Sequence, residues 1–307
     1  MSNAVYSILS RYTQPPLIIF GTIGAIFNQI LFSSRKSLRS NSCSFYFRAL
    51  SINDLLVMYV YVLLQWIADQ YGFDLSKTCI SMCKIKTYIN CILYTLSPYF
   101  VVLACFDRLC TSSRDANLRR IATPRIASYL TFSMIVIVIA AYSHIPIYTT
   151  LFLGPTGLTC SSTNLMYSKI NAIFVLTFLA ILPPILMTIC CITTLILLRI
   201  QRRRVMPINQ ARIRQRDAQI FKMLLLYVAF HLICTIPFSV VLLIAVYQLP
   251  APSATISTLY QSFVLLFNAS FSISFYIYTL STPFYRHEFL SLTMNIFKRC
   301  RRIIKPN

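Results

Sequence analysis

The sequence predicts an all-α membrane protein: a bundle of seven transmembrane helices followed by a short amphipathic eighth helix. Three observations carry this. Of 307 residues, 57% are hydrophobic and 11% charged, whereas a soluble domain carries about 25% charged residues. The mean hydropathy is +0.68. Long uncharged runs alternate with short basic clusters: 126–168 contains no Asp, Glu, Lys or Arg, and 223–285 contains none either. The formal net charge of +21 would suit a nucleic-acid binder, but such a protein spreads its bases over a folded surface. Here they sit in the connections between apolar stretches, so no nucleic-acid partner is expected.

A spanning helix needs about 20 mostly apolar residues. One domain, 1–307, therefore holds spans at about 15–34, 44–68, 83–109, 124–146, 170–199, 218–247 and 255–280, with helix 8 at about 283–297. The last long run is divided by Leu249-Pro250-Ala251-Pro252-Ser253, a turn signal. The eighth segment is amphipathic, with Phe284, Phe289, Leu292, Ile296 and Phe297 beside Arg286 and Lys298. It is expected to lie in the membrane interface.

Lysine and arginine set the orientation. All but Arg11, Lys77, Lys84, Lys86 and Lys169 fall in connections 1–2, 3–4 and 5–6 or in the C-terminal tail. That side is expected to face the cytoplasm, with the N-terminus outside the plasma membrane. Residues 1–14 lack the basic start and apolar core of a cleavable signal, so the first span is expected to insert directly. Cys79, Cys83 and Cys160 then lie outside, where disulfides persist; three thiols allow one bridge.

Spaced residues go further. Helix 3 ends in Asp107-Arg108-Leu109, and Cys83 lies 25 residues before Arg108. Helix 2 carries Leu50-Ser51-Ile52-Asn53-Asp54-Leu55, and helix 1 carries Asn28. Helix 5 has Pro183-Pro184, helix 6 has Cys234-Thr235-Ile236-Pro237, and helix 7 ends near Tyr278. This ordered set resembles the rhodopsin-like (class A) G-protein-coupled receptors over nearly the whole chain. Three motifs depart from the family's pattern. Its Asp-Arg-Tyr is Asp-Arg-Leu, its Cys-Trp-x-Pro is Cys-Thr-Ile-Pro, and its Asn-Pro-x-x-Tyr is Ser274-Phe275-Tyr276-Ile277-Tyr278.

The resemblance implies roles. Cys83 and Cys160 are the expected disulfide, with Cys79 as competitor, and Gly154-Pro155-Thr156-Gly157 is expected to turn the preceding loop into a hairpin. Asp107, Arg108, Asp217 and Tyr278 are the expected G-protein switch, an Arg108–Asp217 pair holding helices 3 and 6 together at rest. Pro237 is the helix-6 hinge. Asp54, an acid in mid-span, costs roughly 2.5–3.5 kcal/mol on insertion scales. Asn28, Ser97, Ser270 and Ser274 around it resemble a sodium pocket, whose oxygens suit a hard cation. The alternative is a protonated Asp54 hydrogen-bonded to Asn28. Cys300, between basic pairs, is a candidate for palmitoylation, and the basic tail suits anionic membrane lipid.

For the ligand, Asn90 stands 18 residues before Arg108, where the family's amine receptors carry an aspartate. No lysine lies between Lys222 and Lys298, so a retinal Schiff base is excluded. The remaining polar and aromatic candidates are Gln65, Trp66, Asn90, Tyr94, His144, Tyr260, Gln261 and Asn268. As a set they suit a neutral small molecule or a peptide, and the outer acids Asp69 and Asp74 suit a peptide with a basic end. The expectation is a receptor for a neuropeptide-like ligand that activates a heterotrimeric G protein. The competing classes are a seven-helix transporter or channel and a receptor-like protein that does not couple. An enzyme is not expected, since His144 and His231 stand apart from any cluster of catalytic side chains.

Overall fold

The computed structural model describes residues 2–34, 42–113, 115–154, 157–202, 208–248 and 253–281, with 283, 285–287, 289–291 and 293–294 beyond them. Within these, the side chains of 2–5, 34, 201–217, 246, 254, 280 and 281 are not described.

Seven helical rods form the bundle. α1 is Ser2–Ser34. α2 runs as Ser42–Leu56, a π-helical stretch Val57–Leu63, and Leu64–Tyr71. It stops at Gly72, whose φ of 70° places it in the left-handed region that favours glycine. α3 is Ile80–Ser112 and α4 is Pro124–Ala141. Thr123 caps α4 by accepting from Ile126 N–H, and Pro124 occupies the first turn, where its missing N–H costs nothing. α5 comprises Leu165–Val175, a second π-helical stretch Leu176–Ile181, and Leu182–Arg202. α6 is Ile208–Tyr247, with Pro237 inside it. α7 is Ala254–Ser272 continued by Ser274–Ser281, interrupted at Ile273.

Between α4 and α5 lies a hairpin, β1 (Thr150–Gly154) and β2 (Gly157–Ser161). The strands pair antiparallel, with Leu151 opposite Cys160 and Gly154 opposite Gly157. Gly157 has a φ of 110°, so the expected turn residue meets a backbone that only glycine adopts readily.

Packing places α3 at the centre, against α2, α4, α5 and α6, while α7 closes the ring between α6 and α1. The α1–α7 approach is close: a Cβ added to Gly24 would stand 3.0 Å from Phe275 Cβ. Small residues of this kind let membrane helices come into van der Waals contact where lipid supplies no hydrophobic drive. The inner face buries Phe32, Phe47, Phe100, Tyr227 and Tyr278, while Ile19, Phe20, Ile137, Ile189, Ile233 and Val240 stay exposed. An apolar exterior around satisfied helices is what hydrocarbon requires.

Six of these helices are long and apolar enough to cross a membrane. α7 is shorter and richer in Ser, Thr, Gln and Asn. Some boundaries differ from expectation. α1 begins at Ser2 rather than near 15: one face of its first turns is hydrogen-bonded to α2, through Tyr6 and Ser10. The described residues of 283–294 are helical, with Tyr285 buried and Phe289 packed on Phe27 and Phe275. Phe284, Leu292, Ile296, Phe297, Lys298 and Cys300 lie outside the described residues.

Candidate ligand cavity and switch

The hairpin end of the bundle holds a cavity of about 230 Å³. One face of α3 supplies Thr87, Asn90, Cys91, Tyr94 and Thr95, a run at helical spacing. α7 supplies Tyr260, Val264 and Phe267, α6 supplies Phe238, and α5 supplies Val175 and Leu179. Tyr61 and Tyr142 complete it from α2 and the end of α4. No charged side chain lines it.

The two π-helical stretches bear on this cavity. Such a stretch widens one turn and rotates the residues beyond it. Tyr61 lies within the one in α2 and Leu179 within the one in α5. The latter directly precedes Pro183-Pro184, whose rings would clash with the carbonyls of an unwidened preceding turn.

The polar groups of the cavity are mostly fixed. Tyr94 Oη donates to Asn268 Oδ1 at 2.7 Å, and the Tyr94 ring meets Tyr61 edge-on at 4.6 Å. The Thr95 and Tyr142 hydroxyls bond at 2.8 Å. Asn90 Oδ1 is buried without a hydrogen-bond partner.

Of the eight residues singled out for ligand contact, Asn90, Tyr94 and Tyr260 line the cavity, and Trp66 is not among its lining residues. Asn268 stands behind it as the acceptor for Tyr94. Gln65 is turned toward Asp69, to which its Nε2 donates at 2.9 Å. His144 is held by Asn171 Oδ1 at 3.2 Å and Ala141 O at 3.0 Å, packed on Phe174. Gln261 is half-buried outside the lining. Thr87, Cys91 and Thr95 were recoverable from sequence, since Asn90 and Tyr94 already mark their helix face. Leu179 and Tyr61 were not, because they lie within widened turns that shift the helical phase, nor was Val175, which directly precedes one.

A disulfide joins Cys83 at the start of α3 to Cys160 on β2, with Cα atoms 5.7 Å apart; Cys79 is free and exposed. The bridge holds the hairpin over the cavity mouth, where Thr87 Oγ1 lies 3.6 Å from Cys160 Sγ. The outer acids are both engaged. Asp74 forms an ion pair with Lys86 at 2.8 Å and accepts from Ser76 N–H and Oγ. Burial alone would raise its pKa, but these donors outweigh it and hold the carboxyl below the usual aspartate value of 3.8. Asp69 accepts from Tyr6, Ser10 and Gln65.

In mid-bundle, Asp54 is fully buried. Its Oδ1 accepts from Ser97 Oγ at 2.8 Å and its Oδ2 from Ser274 Oγ at 3.4 Å. Asn53 Nδ2 donates to Ser97 Oγ at 2.7 Å and to Leu93 O at 2.7 Å. Ser270 turns to its own helix, donating to Phe267 O. Asn28, with 0% exposure, has neither amide atom hydrogen-bonded, so the Asp54–Asn28 bond of the protonated alternative is not formed. Asp54, Ser97 and Ser274 offer oxygen donors of the kind a sodium ion takes.

At the opposite end from the hairpin, Arg108 is 2% exposed and Nη2 donates to Asp107 Oδ2 at 2.6 Å. A buried guanidinium of this kind must be paired. Tyr278 is buried between Phe47 and Tyr227, with ring centroids 5.0 and 5.9 Å away. Pro237 sits inside α6. Asp217 belongs to α6, but its side chain lies outside the described residues. Among the described residues no group of three or more His, Cys, Asp and Glu is placed to hold a metal ion.

A family model described as "7 transmembrane receptor (rhodopsin family)" matches residues 26–277. No individual curated protein matches the chain.

Proposed function

Because the chain belongs to the rhodopsin family of seven-transmembrane receptors, we propose that it binds an extracellular ligand in the cavity beneath the hairpin and activates a heterotrimeric G protein at the Arg108 end. It is a multi-pass membrane protein. The placement of its basic residues supports the plasma membrane, with the N-terminus outside, the C-terminus in the cytoplasm and the basic tail against anionic lipid. We read it as a receptor rather than an enzyme.

The observation that carries this reading is one uncharged cavity at one end and one buried Asp107–Arg108 pair at the other end of the same central helix. At about 230 Å³ the cavity falls below the about 300–1,000 Å³ of drug-sized sites. It suits a small neutral ligand or a few side chains of a neuropeptide, not a whole peptide. Asn90 Oδ1, buried and unpartnered, supplies an acceptor for a ligand donor.

Asp54, with Ser97, Ser270, Ser274 and Asn28, would hold a sodium ion. The ion would supply the positive charge that the buried carboxylate lacks. Asp217 is read as the partner that ties α6 to Arg108 at rest.

The test is basal G-protein activation in cells, read across several G-protein classes with surface expression matched. Arg108→Ala should abolish the basal signal and Asp217→Asn should raise it. A basal signal unchanged in both variants refutes the switch.

A further inference from the structure

The two acids at the hairpin end are not alike. Asp74 has its own cation, Lys86. Asp69 has none: none of the ion pairs among the described residues involves it. Its partners are neutral donors, Tyr6 Oη at 2.9 Å, Ser10 Oγ at 2.8 Å and Gln65 Nε2 at 2.9 Å. Arg11, beside Ser10 in sequence, is exposed.

An ionised carboxylate has about four acceptor directions, and three are used here. The side chain is half-buried, so it is reachable from outside yet poorly screened. A second observation marks the same place. Tyr6, Ser10 and Gln14 recur every four residues on one face of α1. Gln14 is 1% exposed, and neither of its amide atoms has a hydrogen-bond partner. One face of α1 and the outer end of α2 thus present a carboxylate lacking a counter-ion and, one turn deeper, an amide lacking any partner. Buried polar groups ordinarily find partners, and a carboxylate held only by neutral donors is complementary to a cation.

Position ties this site to the cavity. Tyr61 lines the cavity, and Gln65 and Asp69 succeed it at intervals of four along α2. Eight residues of helix span about 12 Å.

We propose that Asp69 is a cation subsite of the receptor, and that the ligand is an elongated monocation. Its ammonium or guanidinium group sits at Asp69 and its uncharged end occupies the cavity about 12 Å away. This rests on the reading of the cavity as the ligand site. It also separates the two outer acids: Asp74 is structural and Asp69 is for recognition.

The experiment uses the purified full chain in phosphatidylcholine nanodiscs. The probes are 6-phenylhexylammonium and its uncharged counterpart 6-phenylhexanol, with binding read by saturable thermal stabilisation. The ammonium probe should bind wild type about tenfold more tightly than the alcohol, the equivalent of about 1.4 kcal/mol. In Asp69→Asn the preference should vanish; the new amide oxygen still accepts from Tyr6 and Ser10, so the fold is kept. In Asp74→Asn, which changes net charge equally, the preference should persist. Equal binding of both probes to wild type, binding of neither, or an unchanged preference in Asp69→Asn overturns the proposal. None of these readouts needs a G protein. A chain that binds the amine through Asp69 but activates no G protein refutes the signalling reading alone, and intact signalling without amine preference refutes the subsite alone.

Discussion

Removing the Cys83–Cys160 bridge tests the hairpin end of the fold. The bridge closes a loop of 77 residues. In the chain-entropy treatment such a loop corresponds to about 4.5 kcal/mol at room temperature. That treatment assumes a free coil, and most of this loop is not one. α3 and α4 remain helical in the bilayer even when their packing is lost, because unpaired backbone groups are not tolerated there. The freely varying part shrinks to the 3–4 connection and the segment from α4 to Cys160, which lowers the figure to about 3.5 kcal/mol. With about 2–4 °C per kcal/mol for larger domains, Cys83→Ser should lower the thermal midpoint in nanodiscs by about 7–14 °C. Cys160→Ser should do the same, and the double variant should match either single one, since both remove one bond. Cys79→Ser, at a free exposed thiol, should change nothing. A large loss in Cys79→Ser with little in Cys83→Ser would reverse the pairing. An additive double variant would show that the two positions act separately.

Three further outcomes are expected. The Asp74–Lys86 pair should stabilise by no more than about 1 kcal/mol, given its partial exposure. Because the folded carboxyl lies below its usual 3.8, the contribution is present above that value and disappears as pH falls through the folded one. The midpoint difference between wild type and Lys86→Met should therefore be flat from pH 7 to about 5 and shrink below about 4; a difference indifferent to pH would discard the pair. Sodium chloride, compared with choline chloride, should raise the midpoint of wild type but not of Asp54→Ala, and a sodium-insensitive wild type would end the sodium reading. His231→Phe should raise the midpoint, because the buried imidazole has neither nitrogen hydrogen-bonded and such orphans cost about 1–3 kcal/mol each; a lowered midpoint would mean that the ring has a partner in the membrane.

The helices were legible because membrane solvent leaves a coarse record: uncharged runs of spanning length, with bases at their ends. The hairpin was legible from Gly154 and Gly157, since a φ of 110° admits few other residues. The Cys83–Cys160 pairing was legible only through the family resemblance, as three outer thiols do not choose among themselves. What the sequence hid was phase. Gln65 carries the right chemistry for ligand contact, but the widened turn at Val57–Leu63 resets which face of α2 beyond it meets the cavity, while His144 is held instead by Asn171 and Phe174 and Gln261 stands outside the lining. The reach of α1 to Ser2 was hidden because Tyr6 and Ser10 look like polar outer residues until Asp69 is placed beside them. The same contact separates Asp69 from Asp74, which composition treats as equivalent.

The altered motif of α6 acquires a physical sense from the layer below the cavity. Where the family has a tryptophan, Thr235 is small, and its hydroxyl is buried without a hydrogen bond. The space around it is filled from neighbouring positions. Phe238 stacks on Phe267 at 5.0 Å, Phe267 lies 6.1 Å from His231, and His231 lies parallel to Tyr227 at 6.2 Å. Tyr227 in turn meets Tyr278 at 5.9 Å. These rings run from the cavity wall to the level of Tyr278, with Phe238, His231 and Tyr227 on α6 and Phe267 and Tyr278 on α7, on both sides of Pro237. A packed column of this kind does not compress; interiors at crystal-like density pass a displacement on rather than absorb it. On the proposed reading, an occupant pushing on Phe238 or Phe267 has to move α6 against α7. The hinge lies inside that contact, so the missing tryptophan does not remove a route between the cavity and Tyr278 but relocates it to rings one turn away.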